Sequence, residues 1–348
     1  MSVASGLTKA LRRYDYEFPP ELMAREPASP RDAARLLVYR RADRSIAHSR
    51  FSDLPEHLPP GAVLVFNETK VLPARLVLRK PTGGKAVLLY VDRAGRDLRF
   101  MSDRRLEKGQ VLTLDARHRF KITGQQANYY LLRPLFPTKH FQAVLERHGL
   151  TPLPPYIKDS PLTEAQAREK YQAVFAKRRG SVAAPTASLH FTGRLLAKLR
   201  RRGFDARFVT LHVGLGTFAP VTEDHWRRGR LHRERYEIDP ATARFLERAK
   251  RQGRPIVAVG TTVVRTLESA ADGRGRLRKL RGETELFIRE GAKFRFVDAL
   301  ITNFHVPRSS LLMLVSAFAG RREVRELYRR AIAKKYRLFS FGDGMLIV

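Results

Sequence analysis

The chain has no cysteine and one tryptophan among 348 residues. Without thiols there are no disulfides, no thiolate nucleophile, no iron–sulfur cluster and no cysteine-based zinc site. Long apolar runs are missing too: the greasiest stretch, Leu311 to Ala319, contains Ser316 and is far too short to span a bilayer. The first twenty residues carry Arg12, Arg13, Asp15 and Glu17 and no apolar run of signal-peptide length. A soluble, cytoplasmic, monomeric protein without membrane contact is the expectation. Acidic side chains are also scarce, 34 Asp and Glu against 67 Lys and Arg, for a formal net charge of +33. Such a surface favours a polyanionic partner, with nucleic acid foremost. The basic residues run from Arg12 and Arg13 to Lys334 and Lys335 among folded-looking segments, so the charge belongs to domain surfaces rather than to a tail.

What is present is material for burial. Hydrophobic residues make up 43% of the chain, and single cores stop growing near about 250–300 residues, so two cores are expected. Leu36–Tyr39 reads as a strand. After the Pro59-Pro60-Gly61 turn, the unbroken apolar run Ala62–Phe66 suits a strand buried on both faces, ending on the polar Asn67-Glu68-Thr69-Lys70. Between about Leu72 and Leu150, short β-rich bursts (Ala74–Leu78, Ala86–Val91, Val111–Leu114, Phe120–Thr123, Tyr129–Arg133) alternate with glycine and charged turns, the pattern of a small antiparallel barrel or sandwich. The stiff Thr151–Tyr156 segment reads as a crossing back. Helices and buried strands then alternate: helix Ala165 to about Lys177, helix Thr192–Arg202, strand Phe208–Val213, helix Ala241–Arg251, strand Ile256–Val259 and helix Val263–Ala271. Leu311–Val315 fits either a strand or a buried helix. The expected architecture is an α/β main domain, a mixed sheet with flanking helices, formed by residues 1–71 and 152–348 and interrupted by a β-barrel insertion at 72–151.

Four stretches carry chemistry-bearing residues. In Gly180–Thr192, small residues permit close backbone approach, Thr192 is a good N-cap and His190 precedes the helix, where it suits acid–base work or simple satisfaction by backbone. In Thr210–Phe218, a strand runs through His212 into Gly214-Leu215-Gly216. The third glycine of a dinucleotide fingerprint and its immediate helix are missing, which excludes a nicotinamide site. In Pro255–Glu268, a buried strand meets Gly260-Thr261-Thr262 and a helix carrying Arg265, a combination suited to a carboxylate or phosphate. No lysine follows the glycine as a P-loop requires. In Asp298–Ser310, Asn303, His305 and Arg308 form a polar cluster between apolar runs. His232 and Glu234 face the same way if their segment is extended. No histidine or carboxylate spacing supports a metal site.

Together these segments resemble one family. Tyr14-Asp15-Tyr16-Glu17, Val65 to Arg75, Leu153-Pro154-Pro155-Tyr156-Ile157, Ala183-Ala184-Pro185-Thr186, Leu211 to Phe218, Gly260 to Glu268, Thr302 to Gly320 and Phe339 to Ile347 are similar to the S-adenosylmethionine:tRNA ribosyltransferase-isomerases of queuosine biosynthesis. Departures are Ser188 where the family usually has Gly, Val263 where Ser is common, Ala219 where Arg is common, and a Leu98–Gly109 segment without the expected Trp and basic run. The resemblance implies a barrel-interrupted α/β fold. It also implies transfer of the ribosyl part of S-adenosylmethionine to 7-aminomethyl-7-deazaguanine at the wobble position of tRNA, giving epoxyqueuosine, adenine and methionine. S-adenosylmethionine is then a consumed substrate, and no cofactor or metal is expected.

On that reading, a base removes the C5′ proton acidified by the sulfonium. His190, His212 and His305, then Glu234 and Glu268, are the candidates for base or acid. Asn303 and Thr186 suit the ring nitrogens of departing adenine. Gly214, Gly216, Thr261 and Thr262 are assigned to holding S-adenosylmethionine, with Arg265 near its carboxylate, and Lys70, Arg75 and Arg308 to tRNA phosphates. The alternatives are a non-enzymatic RNA-binding protein and an S-adenosylmethionine-dependent RNA methyltransferase.

Overall fold

The computed structural model describes residues 6–126, 128–214 and 220–348. Strands β1 (Arg35–Tyr39), β2 (Ile46–Arg50), β3 (Val63–Asn67) and β4 (Thr69–Val71) come first. They are followed by β5 (Arg75–Arg79), β6 (Lys85–Ala94), β7 (Asp97–Ser102), β8 (Val111–Thr113), β9 (Arg119–Gln126) and β10 (Tyr129–Pro134). The remainder are β11 (Arg178–Ser181), β12 (Asp205–Leu211), β13 (Arg230–Glu237), β14 (Ile256–Val259), β15 (Arg281–Leu286), β16 (Ala299–Asn303) and β17 (Gly344–Ile347). The helices are α1 (Gly6–Arg12), α2 (Phe141–His148), α3 (Glu164–Lys170), α4 (Gly193–Arg201), α5 (Glu223–Arg228), α6 (Pro240–Arg251), α7 (Thr261–Ala270), α8 (Ser310–Ala319) and α9 (Arg321–Ala333).

Nine strands form one mixed sheet in the order β15-β13-β12-β3-β14-β16-β17-β1-β2. Its centre is parallel: β3 lies between β12 and β14, with Val65 opposite Arg207 on one side and Ala258 on the other. That placement explains the unbroken apolar run of β3, in which every residue is buried. One face of the sheet is covered through Leu246, Val264, Leu267, Met313 and Leu327, from α6, α7, α8 and α9. The other is covered through Phe51, Leu54, Phe191, Leu195 and Leu199.

Strands β5 to β10 close into a separate barrel in the order β10-β7-β6-β5-β8-β9. Alternation builds it: in β5, Leu76 and Leu78 are buried while Arg75 and Arg79 face out. Phe141 and Leu145 of α2 complete the barrel core. The α/β body with an inserted antiparallel barrel is therefore present as expected.

Of the two readings left open for Leu311–Val315, the buried helix is the one present, as part of α8. Elsewhere local expectations differ from the structure. Helix α3 stops at Lys170 rather than near Lys177. Tyr171 leaves the helix fully buried against Phe341, and the Gln172 side chain brackets Val71, accepting from its N–H at 3.1 Å and donating to its carbonyl at 2.8 Å. Strand β7 was not anticipated because Asp97 and Arg99 alternate with the inward Leu98 and Phe100, so charge masks its period.

Candidate active site

The parallel strands β3, β14 and β16 point their carboxyl ends to the same side of the sheet, where open α/β sheets form ligand crevices. Each ends on a residue that shapes this edge. Asn67 closes β3: its Oδ1 accepts from Leu211 N–H at 3.1 Å, and its Nδ2 donates to Leu211 O at 3.0 Å and to Thr262 Oγ1 at 3.3 Å. The side chain thus ties β12 and the start of α7 together. Gly260 closes β14 at φ +96°, a conformation that favours glycine, and allows the sharp entry into α7. As a glycine cap it supplies no side-chain acceptor, so the positive end of α7 faces the crevice through Thr261 and Thr262.

The crevice is open to solvent, and the space between its walls amounts to about 610 Å³ with the adjoining solvent counted in. Thr186, Thr261, Thr262, Asn303 and His305 supply its polar wall; Phe304, Val306, Leu311, Phe339 and Tyr156 supply its apolar wall, with Ser340 beside them. Thr186 Oγ1 donates to Asn303 Oδ1 at 3.0 Å, and Asn303 Nδ2 donates to Phe339 O at 3.2 Å and lies 3.3 Å from His190 Nε2. His190 is buried, stacked on Phe51 with ring centroids 4.0 Å apart. Burial, reinforced by the Arg337 and Arg31 charges, pushes its pKa down to about 3, so the ring is neutral at physiological pH. It contacts Asn303 and is not part of the crevice wall.

His305 does line the crevice. Its Nε2 is 2.8 Å from Thr302 Oγ1, its N–H donates to Tyr328 OH at 2.7 Å, and Tyr16 OH donates to its carbonyl at 2.5 Å. Enclosure by protein depresses its pKa to about 3, leaving a neutral imidazole. Its backbone is thereby fixed from both sides.

The other predicted residues lie apart from this wall. His212 follows β12, with Nδ1 2.9 Å from Thr69 Oγ1 and its pKa lowered first by burial and then by Arg235. Gly180 packs so closely there that a Cβ would sit 2.7 Å from the same nitrogen. Glu268 is occupied by a turn: it accepts from the N–H groups of Arg295 at 2.8 Å and of Phe296 and Val297 at 3.0 Å. Glu234 and Arg265 form an ion pair with only 3% and 7% of their side chains exposed. Glu234 Oε1 also accepts from Gly214 N–H at 2.8 Å, while Arg265 Nε donates to Leu286 O at 3.2 Å and its buried Nη2 has no partner among the described residues. This pair lines a second cavity, separated from the crevice by Leu311, which borders both. Gly216 lies outside the described residues, as does Ala219.

Of the residues assigned to tRNA, Lys70 borders a wide groove with Arg168 and Arg179, and Arg75 is exposed. Arg308 is exposed but ion-paired to Asp15. Among the departures from the family pattern, Ser188 is buried with a hydroxyl that has no partner among the described residues, and Val263 is buried in the main core. Tyr156, Ser340 and Phe339 escaped selection as site residues because they sit in apolar or aromatic sequence. Their signal lay only in the motifs that carried the resemblance.

The family model of the queuosine biosynthesis proteins matches residues 11–347. The chain belongs to that family. It is 47% identical, over 97% of its length and 98% of the relative's, to an S-adenosylmethionine:tRNA ribosyltransferase-isomerase of Anaeromyxobacter sp. (strain Fw109-5). It is 49% identical, over 98% of its length and 100% of the relative's, to a protein of the same description from Thermus thermophilus. Among solved structures, an S-adenosylmethionine tRNA ribosyltransferase from Thermotoga maritima is 34% identical and matches 97% of this chain and 100% of its own, with a TM-score of 0.54. This queuosine-family chain is thus matched over nearly its whole length, residues of the barrel segment included.

Proposed function

We propose that this chain is an S-adenosylmethionine:tRNA ribosyltransferase-isomerase, consuming S-adenosylmethionine to build epoxyqueuosine on 7-aminomethyl-7-deazaguanine at the wobble position of tRNA. The observation that carries the reading is the crevice itself. Thr186, Thr261, Thr262, Asn303 and His305 come from separate segments, each within or beside a motif of the family resemblance, and meet at one strand-end edge.

Its chemistry suits a nucleoside bearing an anionic tail. Flat apolar walls from Phe304, Phe339 and Leu311 receive the purine, while Thr186 and Asn303 offer hydroxyl and amide groups to its ring nitrogens. Thr261 and Thr262, at the positive end of α7, suit the methionine carboxylate. Adenine leaves from C1′ and methionine from C5′; in exchange a bond forms to the aminomethyl nitrogen, which attacks as the neutral amine, the electron pair left at C5′ closes a carbon–carbon bond to C1′, and the ring oxygen shifts to complete the epoxide. His305 is the one candidate base of the five that borders the crevice among the described residues. Its neutral ring accepts the C5′ proton, whose acidity the adjacent sulfonium raises. The target base must leave the anticodon stack to enter, and basic side chains, the half-buried Lys70 and the exposed Arg75 among them, hold the flanking phosphates. The protein works in the cytoplasm as a monomer without a cofactor.

Product analysis by mass spectrometry tests the reading. Protein is mixed with S-adenosylmethionine and tRNA carrying 7-aminomethyl-7-deazaguanine, beside tRNA lacking that base. Adenine and methionine are expected together, only with the modified tRNA, with a matching mass gain on the base. S-adenosylhomocysteine would mean methylation instead, and tight tRNA binding without turnover would mean a binding module.

A further inference from the structure

The barrel carries a cluster that the crevice does not use. Asp115 follows β8, His118 precedes β9, and His148 is the last residue of α2; one ligand atom from each lies within 4.8 Å of the others. The turn fixes the carboxylate: Asp115 Oδ1 accepts from the N–H groups of Arg117 at 2.8 Å and His118 at 2.9 Å. Asp115 Oδ2 then faces both imidazoles, 2.9 Å from His118 Nδ1 and 3.4 Å from His148 Nε2. The His118 ring is itself held edge-on by Phe136, with centroids 4.9 Å apart.

We infer that Asp115, His118 and His148 form a zinc-class divalent metal site on the barrel. Tetrahedral zinc with bonds of about 2.0–2.2 Å places its ligands about 3.3 Å apart, close to the spacing found here. Two imidazole nitrogens and one carboxylate oxygen are an ordinary zinc donor set, leaving a fourth position for water. All three residues are only partly buried, which gives an ion a path in. When metal binds, each imidazole coordinates through the nitrogen that faces Asp115, and any proton on that nitrogen goes to solvent.

The site has a mechanical consequence. It ties the β8–β9 turn to the end of α2, next to the point where the chain leaves the barrel. There Gly149 runs so close to Pro73 that a Cβ would lie 1.8 Å from the Pro73 carbonyl oxygen. A bound ion therefore stiffens the barrel at its junction with the α/β body, away from the crevice.

The test uses tag-free full-length protein and zinc sulfate as titrant, read by calorimetry, with cobalt(II) absorption as an independent report of coordination. One equivalent is expected to bind, with tetrahedral cobalt bands and a raised Tm. Asp115→Asn and His148→Gln should each weaken binding at least about tenfold, and their metal-free urea midpoints, kept near wild type, would show that folding is intact. The double variant His225→Ala/His232→Ala removes the other close histidine pair, whose ring centroids lie 4.5 Å apart, and should bind zinc as wild type does. The inference is overturned if wild type takes up no stoichiometric zinc, if Asp115→Asn and His148→Gln bind it unchanged, or if binding is lost with His225 and His232.

Discussion

Thr186 Oγ1 donates a 3.0 Å hydrogen bond to Asn303 Oδ1, joining the short helical turn before α4 to the end of β16 across 117 residues of sequence. The amide's other end reaches Phe339 O and His190 Nε2, so one side chain ties two crevice-lining residues, Thr186 and Phe339, to the buried ring behind them. Asn303→Asp keeps the shape but removes the donors. It is expected to lower kcat/KM for adenine release about 100-fold and to cost about 1–3 kcal/mol of stability, since buried acceptors lose their partner. Steady-state kinetics and urea denaturation measure the two effects.

His190 gives the fold a pH dependence of known sign. Its folded pKa of about 3 lies below the ordinary 6.5, so the unfolded chain binds the proton more readily. The stabilisation is complete above about pH 6.5 and is lost as pH falls toward 3, at no more than about 1.4 kcal/mol per pH unit for this residue. Urea midpoints at pH 7 and pH 5 should drop less in His190→Asn than in wild type. An unchanged drop would mean that His190 does not contribute to this window.

The Glu234–Arg265 pair is buried, and breaking it from one side strands a charge. Glu234→Gln or Arg265→Met alone should cost about 3–5 kcal/mol, whereas the double change Glu234→Leu/Arg265→Met should recover most of the loss. A double-mutant cycle in urea reads the coupling. Additive single effects would show that the two side chains do not depend on each other.

Phosphate contacts predict a salt dependence. If about five phosphates are neutralised, the log–log slope of tRNA affinity against salt is roughly −3 to −5. Lys70→Ala and Arg75→Ala should each make it shallower by roughly one, and Arg308→Ala by less, because Asp15 already neutralises that guanidinium. Binding titrations over a salt series measure it, and a slope near zero contradicts phosphate recognition.

How much of this was legible depended on whether neighbours in sequence are also neighbours in space. β14 and α4 were readable from an unbroken apolar run and from the Thr192 cap, both local signals. β7 was not, because outward charges mask its period, and at α8 all-round burial left strand and helix equally open. The crevice residues stood out as polar groups at strand ends, yet their ranking needed the fold. Glu268 resembles any carboxylate beside a motif until its three backbone donors are seen, and His190 resembles a catalytic histidine until its stacking on Phe51 is seen. The Asp115–His148 contact escaped for the same reason, since a helix and a turn far apart in sequence supply its halves.

The central claim is that S-adenosylmethionine is consumed in the crevice at the ends of β14 and β16, and single-turnover adenine release tests it most directly. His305→Gln and Thr262→Val should slow that step at least about 100-fold. Glu268→Gln, altered at a turn outside the crevice, should stay within a few-fold of wild type provided that its urea midpoint shows it folded. Retained rates in the first two variants, with loss in a folded Glu268→Gln, would contradict the account and move the chemistry elsewhere.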